Sequence, residues 1–105
     1  MERVVVNKPR PLSPEAKEEL LRVQLAFGKR LRQFRHEKLM TLEQVAELAD
    51  IHANYLSAVE RGKRNVSLFN VWRIASSLNL SAADLMGDLP VRKVHHLVME
   101  PKQNS

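Results

Sequence analysis

Residues 41–65 read TLEQVAELADIHANYLSAVERGKRN, and the order of caps, apolar positions and breakers in this stretch decides the fold. Thr41 and Gln44 stand at capping-box spacing, where a hydroxyl accepts from an exposed N–H and an amide side chain reaches back to the cap. A helix is predicted from Leu42 to about Ala49. Asp50 then stands where the chain must turn, in a position that needs the left-handed conformation, which aspartate adopts less readily than glycine. His52 is a candidate cap for a second helix from about Ala53 to Glu60, with Gly62 as its stop. On that helix Leu56 and Val59, with Tyr55 in part, are expected to face inward, and Asn54, Ser57, Ala58 and Arg61 outward. Two short helices around a tight turn, followed at once by a basic loop, are the result.

Working outward, Ser13 and Pro14 form an N-cap with proline at the first helical position, and Glu15, Glu18 and Glu19 sit near the positive end of the helix dipole. Leu20, Phe27, Leu31 and Phe34 recur at helical spacing, which predicts a long first helix ending near Arg35. Gly28 interrupts it at a cost of about 1 kcal/mol relative to alanine. On the other side, Ser67 caps a fourth helix from Leu68 to Leu78 whose expected buried stripe is Leu68, Val71, Ile74, Ala75 and Leu78. Ser81 and Asp84 open a short fifth helix running to Met86, before Gly87. The fold expected is all-α, five helices over residues 13–89, with an N-terminal extension at 1–12 and a C-terminal tail at 90–105. The β-branched segments RVVV (3–6) and LPVRKVHHLVM (89–99) either pair as short strands or are tails; an isolated ribbon of two strands is marginal unless it packs on something.

Composition agrees with one small helical domain. The chain has 105 residues, 44% of them hydrophobic but only 5% aromatic, which suits a bundle packed with Leu, Val, Ile and Ala. With no cysteine there is neither a disulfide framework nor a thiolate metal site, so a reducing cytoplasm is permitted. The start, MERVVVNKPRPL, lacks the apolar core of a signal peptide, and no apolar run is long enough to cross a bilayer. A cytoplasmic protein with no membrane partner is the expectation.

The formal charge is +5, and its distribution matters more than its sum. Cations cluster at Arg22, Lys29, Arg30, Arg32, Arg35 and Lys38 and again at Arg61, Lys63 and Arg64. Acids collect at Glu15, Glu18 and Glu19 and between Glu43 and Glu60, so one side is expected to be basic and another acidic. Such asymmetry suits a polyanion. The outward face of the helix at 53–60 names which polyanion. Short polar side chains near a helix start, here His52, Ala53, Asn54 and Ser57, are what approach to base edges needs. Asparagine pairs bidentately with adenine, serine addresses several bases, and alanine meets a thymine methyl. Arg61, Lys63, Arg64, Asn65 and Ser67 follow where a loop and the next helix N-terminus can grip phosphate.

These residues carry a resemblance. From about Gly28 to Met86, LRQFR, TLEQVAELA, HANYLSAVERG, RNVSLFN and IASSLNLS occur in an order and spacing similar to the Cro and phage-repressor-like (Xre) helix-turn-helix family, most of all to the controller proteins of restriction–modification systems. The resemblance implies a five-helix fold, a two-fold dimer and a palindromic double-stranded DNA operator. It implies base-reading positions at Ala53, Asn54, Ser57 and Ala58 and phosphate positions at Thr41, Arg61, Arg64 and Asn65, with Gln44 beside them. It implies an ion pair between Arg35 and Glu60 across the first and third helices. It places a dimer seam near the last helix, at Leu80, Leu85, Met86 and Leu89. Phe69 and Trp72, a second apolar pair off the main stripe of the fourth helix, either cover that seam or pack within the subunit. Two residues depart from the family pattern: Leu42 stands where glutamine is usual, and Asp50 where glycine is common.

Other chemistries find little support. His95 and His96 are adjacent and so point in different directions, and no acidic cluster completes a metal site. No nucleophile elbow, glycine-rich phosphate loop or paired carboxylate arrangement suggests an enzyme or a cofactor. The expectation is a homodimeric transcriptional regulator that blocks or recruits RNA polymerase on the nucleoid. The competing class is a helix-turn-helix interaction module, such as an antitoxin or adaptor, in which the two terminal extensions would be the working parts.

Overall fold

A computed structural model describes residues 10–92. The segment at 3–6 and most of 89–99, including His95 and His96, lie outside the described residues. Within them the chain forms five helices: α1 Pro14–Glu37, α2 Leu42–Ala49, α3 Ala53–Glu60, α4 Leu68–Ser77 and α5 Ala82–Leu85. The expected starts are all correct. α1 continues two residues beyond Arg35, α4 stops one residue short, and Met86 is the C-cap of α5 rather than its last residue.

Four of the five starts carry a side-chain cap, α3 being the exception. Ser13 Oγ accepts from the Ala16 N–H at 3.1 Å and Ser67 Oγ from the Asn70 N–H at 3.1 Å. Thr41 and Gln44 close a full capping box, and so do Ser81 and Asp84. The ends share one device. After α1, α2, α3 and α4 the chain enters the left-handed region at Leu39, Asp50, Gly62 and Asn79, with φ of 56°, 59°, 76° and 57°. The next N–H reaches five residues back each time: Met40 to the Arg35 carbonyl, Ile51 to Ala46, Lys63 to Ala58 and Leu80 to Ala75, all at 2.9–3.1 Å. This is the Schellman closure, in which an apolar residue just past the turn folds back on the helix. Met40, Ile51 and Leu80 do so and pack on the core. After α3 the residue is Lys63, and the chain stays at the surface.

α2 packs on α4 and α3, α1 lies across α3, and α5 returns to touch both α4 and α1. Between them Leu31, Val45, Leu56, Val59, Ile74, Leu78 and Leu85 are sealed from solvent. Two expectations need correction. Leu68 does not belong to the buried stripe: it is 77% exposed, because it occupies the first helical position and α4 meets the core only from Val71 on. Leu85 is not a surface residue of the last helix; at 0% exposure it is part of the subunit's own core, and it cannot meet a second copy without unfolding.

Candidate nucleic-acid interface

The orientation of α3 is set by α1. At the crossing Gly28 lies so close to the last turn of α3 that a Cβ built there would stand 2.6 Å from the Glu60 carbonyl oxygen and nearer still to that of Val59. Seven residues on, two helical turns along the same face, Arg35 grips the Glu60 side chain. Arg35 Nε donates to Oε2 at 2.6 Å and Nη2 to Oε1 at 2.9 Å, while Nη1 donates to the Met40 carbonyl at 3.0 Å. The two side chains are 11% and 7% exposed. The hydrogen bonds from Arg35 to Glu60 raise the Arg35 pKa further above its ordinary value against the opposing effect of burial, so its charge is permanent. One turn before Gly28 on α1, Gln24 Nε2 donates to the Gly62 carbonyl at 2.8 Å. On the α4 side, Asn70 Nδ2 donates to the Tyr55 hydroxyl at 3.3 Å.

A rod so fixed presents its first turn outward. His52 and Asn54 are exposed, and Ala53 and Ser57 half-buried. His52 holds the N-cap position of α3 but makes no side-chain cap bond, so its imidazole is not committed to the helix. Ala58 does not face outward as expected. It is 6% exposed, because the chain folds back over the end of α3, Lys63 N–H onto the Ala58 carbonyl at 2.9 Å, and α1 lies against the same turn. Ala58 is therefore removed from the base-reading set.

Arg61, Lys63, Arg64, Asn65 and Ser67 are all exposed, and among the described residues no carboxylate pairs with the first three. Arg64 Nη1 donates to the neighbouring Lys63 carbonyl at 3.1 Å. At the start of α2, Thr41 Oγ1 accepts from the Gln44 N–H at 3.0 Å and Gln44 Oε1 accepts from the Thr41 N–H at 2.8 Å; both side chains stay at the surface. The turn between α2 and α3 is held from α4: Arg73 Nη2 donates to the Asp50 carbonyl at 2.6 Å and lies 3.0 Å from its Oδ2.

The sequence reading missed Gly28 as a spacer, Gln24 as a loop anchor and Arg73 as a turn clamp. Only Gly28 leaves a signal in the sequence, as a glycine inside a helix otherwise free of breakers. Of the expected seam residues, Phe69 and Trp72 are 60% and 57% exposed, with ring centroids 6.0 Å apart and planes 13° from parallel; neither is core. Met86 is 39% exposed, while Leu80 and Leu89 are half-buried against the core. No helix among the described residues is long and apolar enough to cross a membrane.

The pattern of the Helix-turn-helix family matches residues 31–85, the span that holds both short helices, the turn and the basic loop. The chain belongs to the helix-turn-helix family. Among curated relatives it is 42% identical to the Control protein C.BamHI of Bacillus amyloliquefaciens over 65 residues, 61% of this chain and 80% of that one. It is 35% identical to the Control protein C.MunI of a Mycoplasma species over 68 residues, 64% of this chain and 92% of that one. Among solved structures it superposes on the restriction-modification controller protein C.AhdI of Aeromonas hydrophila with a TM-score of 0.58 and 39% identity, covering 59% of this chain and 94% of that one. This helix-turn-helix protein is thus of the DNA-binding transcription-regulator kind, and the resemblance to controller proteins noted in its motifs is upheld. The matched span begins at Leu31, so residues 14–30 of α1 lie outside it.

Proposed function

We infer that the protein regulates transcription as a homodimer on a palindromic operator, laying α3 of each subunit in successive major grooves. One observation carries this reading: the first turn of α3, with His52 and Asn54 exposed, is held at the helix's other end by Arg35–Glu60 and followed by cations that no carboxylate among the described residues pairs. His52, Ala53, Asn54 and Ser57 read bases. Thr41, Gln44, Arg61, Lys63, Arg64, Asn65 and Ser67 hold phosphates. A helix of eight residues reads only a few base pairs, so symmetric half-sites supply the rest. The stacked, exposed Phe69 and Trp72 are the best candidates for the seam, with Met86, Leu80 and Leu89 beside them. Polymerase is then blocked or recruited according to where the operator lies.

Selection of bound duplexes from a random pool tests specificity, palindromy and half-site spacing together. A recovered inverted repeat whose affinity falls steeply with salt, and which an Asn54→Ala/Arg64→Ala variant no longer binds, supports the reading. Recovery of no consensus, or of binding indifferent to sequence, favours an interaction module that holds other proteins.

A further inference from the structure

Asp50 is the departure from the family pattern that costs most on paper. It sits at φ 59°, ψ 47°, a conformation unfavourable for any residue with a Cβ, and it places a carboxylate, 96% exposed, two residues before the N-cap of the helix that meets DNA. Two of the turn's N–H groups are committed: Asp50 N–H to Glu47 at 3.1 Å and Ile51 N–H to Ala46 at 3.0 Å. The Asp50 carbonyl is taken up from outside the turn. Arg73, in the middle of α4, donates Nη2 to it at 2.6 Å, and the same nitrogen stands 3.0 Å from Asp50 Oδ2. One guanidinium therefore holds both the backbone and the side chain of a single residue.

Arg73 is itself held in place. Its guanidinium carbon lies 5.0 Å from the centroid of the Phe69 ring, one turn back on α4, and Phe69 stacks on Trp72. The side chain is 24% exposed, so its stem is packed and its head is aimed. A lysine ammonium could reach the same two oxygens but lacks the flat face that stacks on Phe69, so it would be less firmly aimed.

We propose that Arg73 is a positioning residue for DNA binding: it clamps the α2–α3 turn to α4 and cancels the Asp50 charge that would otherwise repel phosphate. The inference rests on the DNA-binding reading, and deepens it by coupling the base-reading helix to the aromatic face of α4 through one side chain. A surface pair of this kind adds little to stability; its effect belongs to the angle of α3 and the local potential.

The test compares wild type, Arg73→Ala, Arg73→Lys, Asp50→Gly and Asp50→Gly/Arg73→Ala, using the selected duplex for affinity and amide hydrogen exchange of the free protein as a readout independent of DNA. Expected are a roughly tenfold weaker Kd and about tenfold faster exchange at Ile51–Asn54 for Arg73→Ala. Arg73→Lys is expected between that variant and wild type, and the double variant within about threefold of wild type in both readouts, because glycine needs no clamp and carries no charge. If Arg73→Ala binds and exchanges as wild type does, the clamp is refuted. If the double variant binds as weakly as Arg73→Ala with wild-type exchange, Arg73 is a direct phosphate contact and the proposal falls. Failure of wild type to bind any duplex would overturn the DNA reading alone, and the exchange data would still decide whether the turn is clamped.

Discussion

Arg35 and Glu60 meet side-on, with two parallel hydrogen bonds of 2.6 and 2.9 Å, and the third arm of the guanidinium closes on the Met40 carbonyl. A fork meeting a carboxylate in this way fixes angle as well as distance. Because Glu60 is the last residue of α3 and Arg35 lies in the last turn of α1, the pair ties α3 to the longest of the five helices.

Arg35→Ala leaves a nearly buried carboxylate without a partner, which costs about 3–5 kcal/mol. For a domain of this size each kcal/mol lowers Tm by roughly 4–8 °C, so thermal unfolding followed by circular dichroism is expected to shift down by well over 10 °C. An unchanged Tm would deny the pair any structural role. Arg35→Lys keeps the charge but loses the fork, and is expected in between.

Gly28→Ala sets helix propensity against packing. Alanine gains about 1 kcal/mol in a helix interior, but its methyl would press on the Val59 and Glu60 carbonyls, which cannot turn aside as a side chain can. Packing wins: a clash at the upper end of the roughly 1–3 kcal/mol that overpacking costs, less that gain, leaves an expected net loss of about 1–2 kcal/mol, measured by urea unfolding, with DNA affinity falling as α3 is pushed off its line. A more stable variant would show that the crossing can open freely.

Leu39 is 90% exposed and left-handed at φ 56°, so its side chain contributes no packing and its Cβ is strained. Leu39→Gly removes the strain at some cost in unfolded-state entropy. A net gain of about 0.5–1 kcal/mol in chemical denaturation is expected, with DNA binding unaltered; a loss of stability would mean that the turn tolerates leucine without strain.

At the interface, base and phosphate roles separate by salt. Arg64→Ala is expected to weaken binding to all duplexes alike and to lower the salt slope by about 1. Asn54→Ala is expected to cost about 1–3 kcal/mol on the selected duplex and to relax preference at a single base pair while leaving the slope alone. Equal effects of both variants on the slope would contradict the assignment.

Trp72 is the only tryptophan and stands exposed beside Phe69. If the aromatic pair covers the dimer seam, its emission shifts to the red on dilution through the monomer–dimer range. Emission indifferent to concentration, with dimerisation shown by sedimentation, moves the seam elsewhere.

What was legible in the sequence was local. The caps at Ser13, Thr41, Ser67 and Ser81 and the turn at Asp50 are written in neighbouring residues, so the helix starts and the short helices came out correctly. The Arg35–Glu60 pair was recovered through likeness to a family, since nothing in the local sequence joins residues 25 apart. The misses are all cases where a distant element decides. Ala58 lies on the expected outer face of α3 until α1 and the following loop cover it. Leu85 looks like an exposed end of a short helix until α5 folds back on α1 and α4. Leu68 fits the spacing of the stripe but falls before α4 reaches the core. Gly28 and Arg73 act across helix contacts that no periodicity within one helix can reveal.

The capping box at the start of α2 has a consequence for Gln44. One acceptor site of its carbonyl oxygen is taken by the Thr41 N–H, which orients the terminal amide and turns its NH2 away from that bond. The Thr41 hydroxyl accepts from the Gln44 N–H in return, so the two side chains hold each other in place at the surface. An amide oriented by the backbone in this way keeps its direction at salt concentrations that would screen an exposed ion pair.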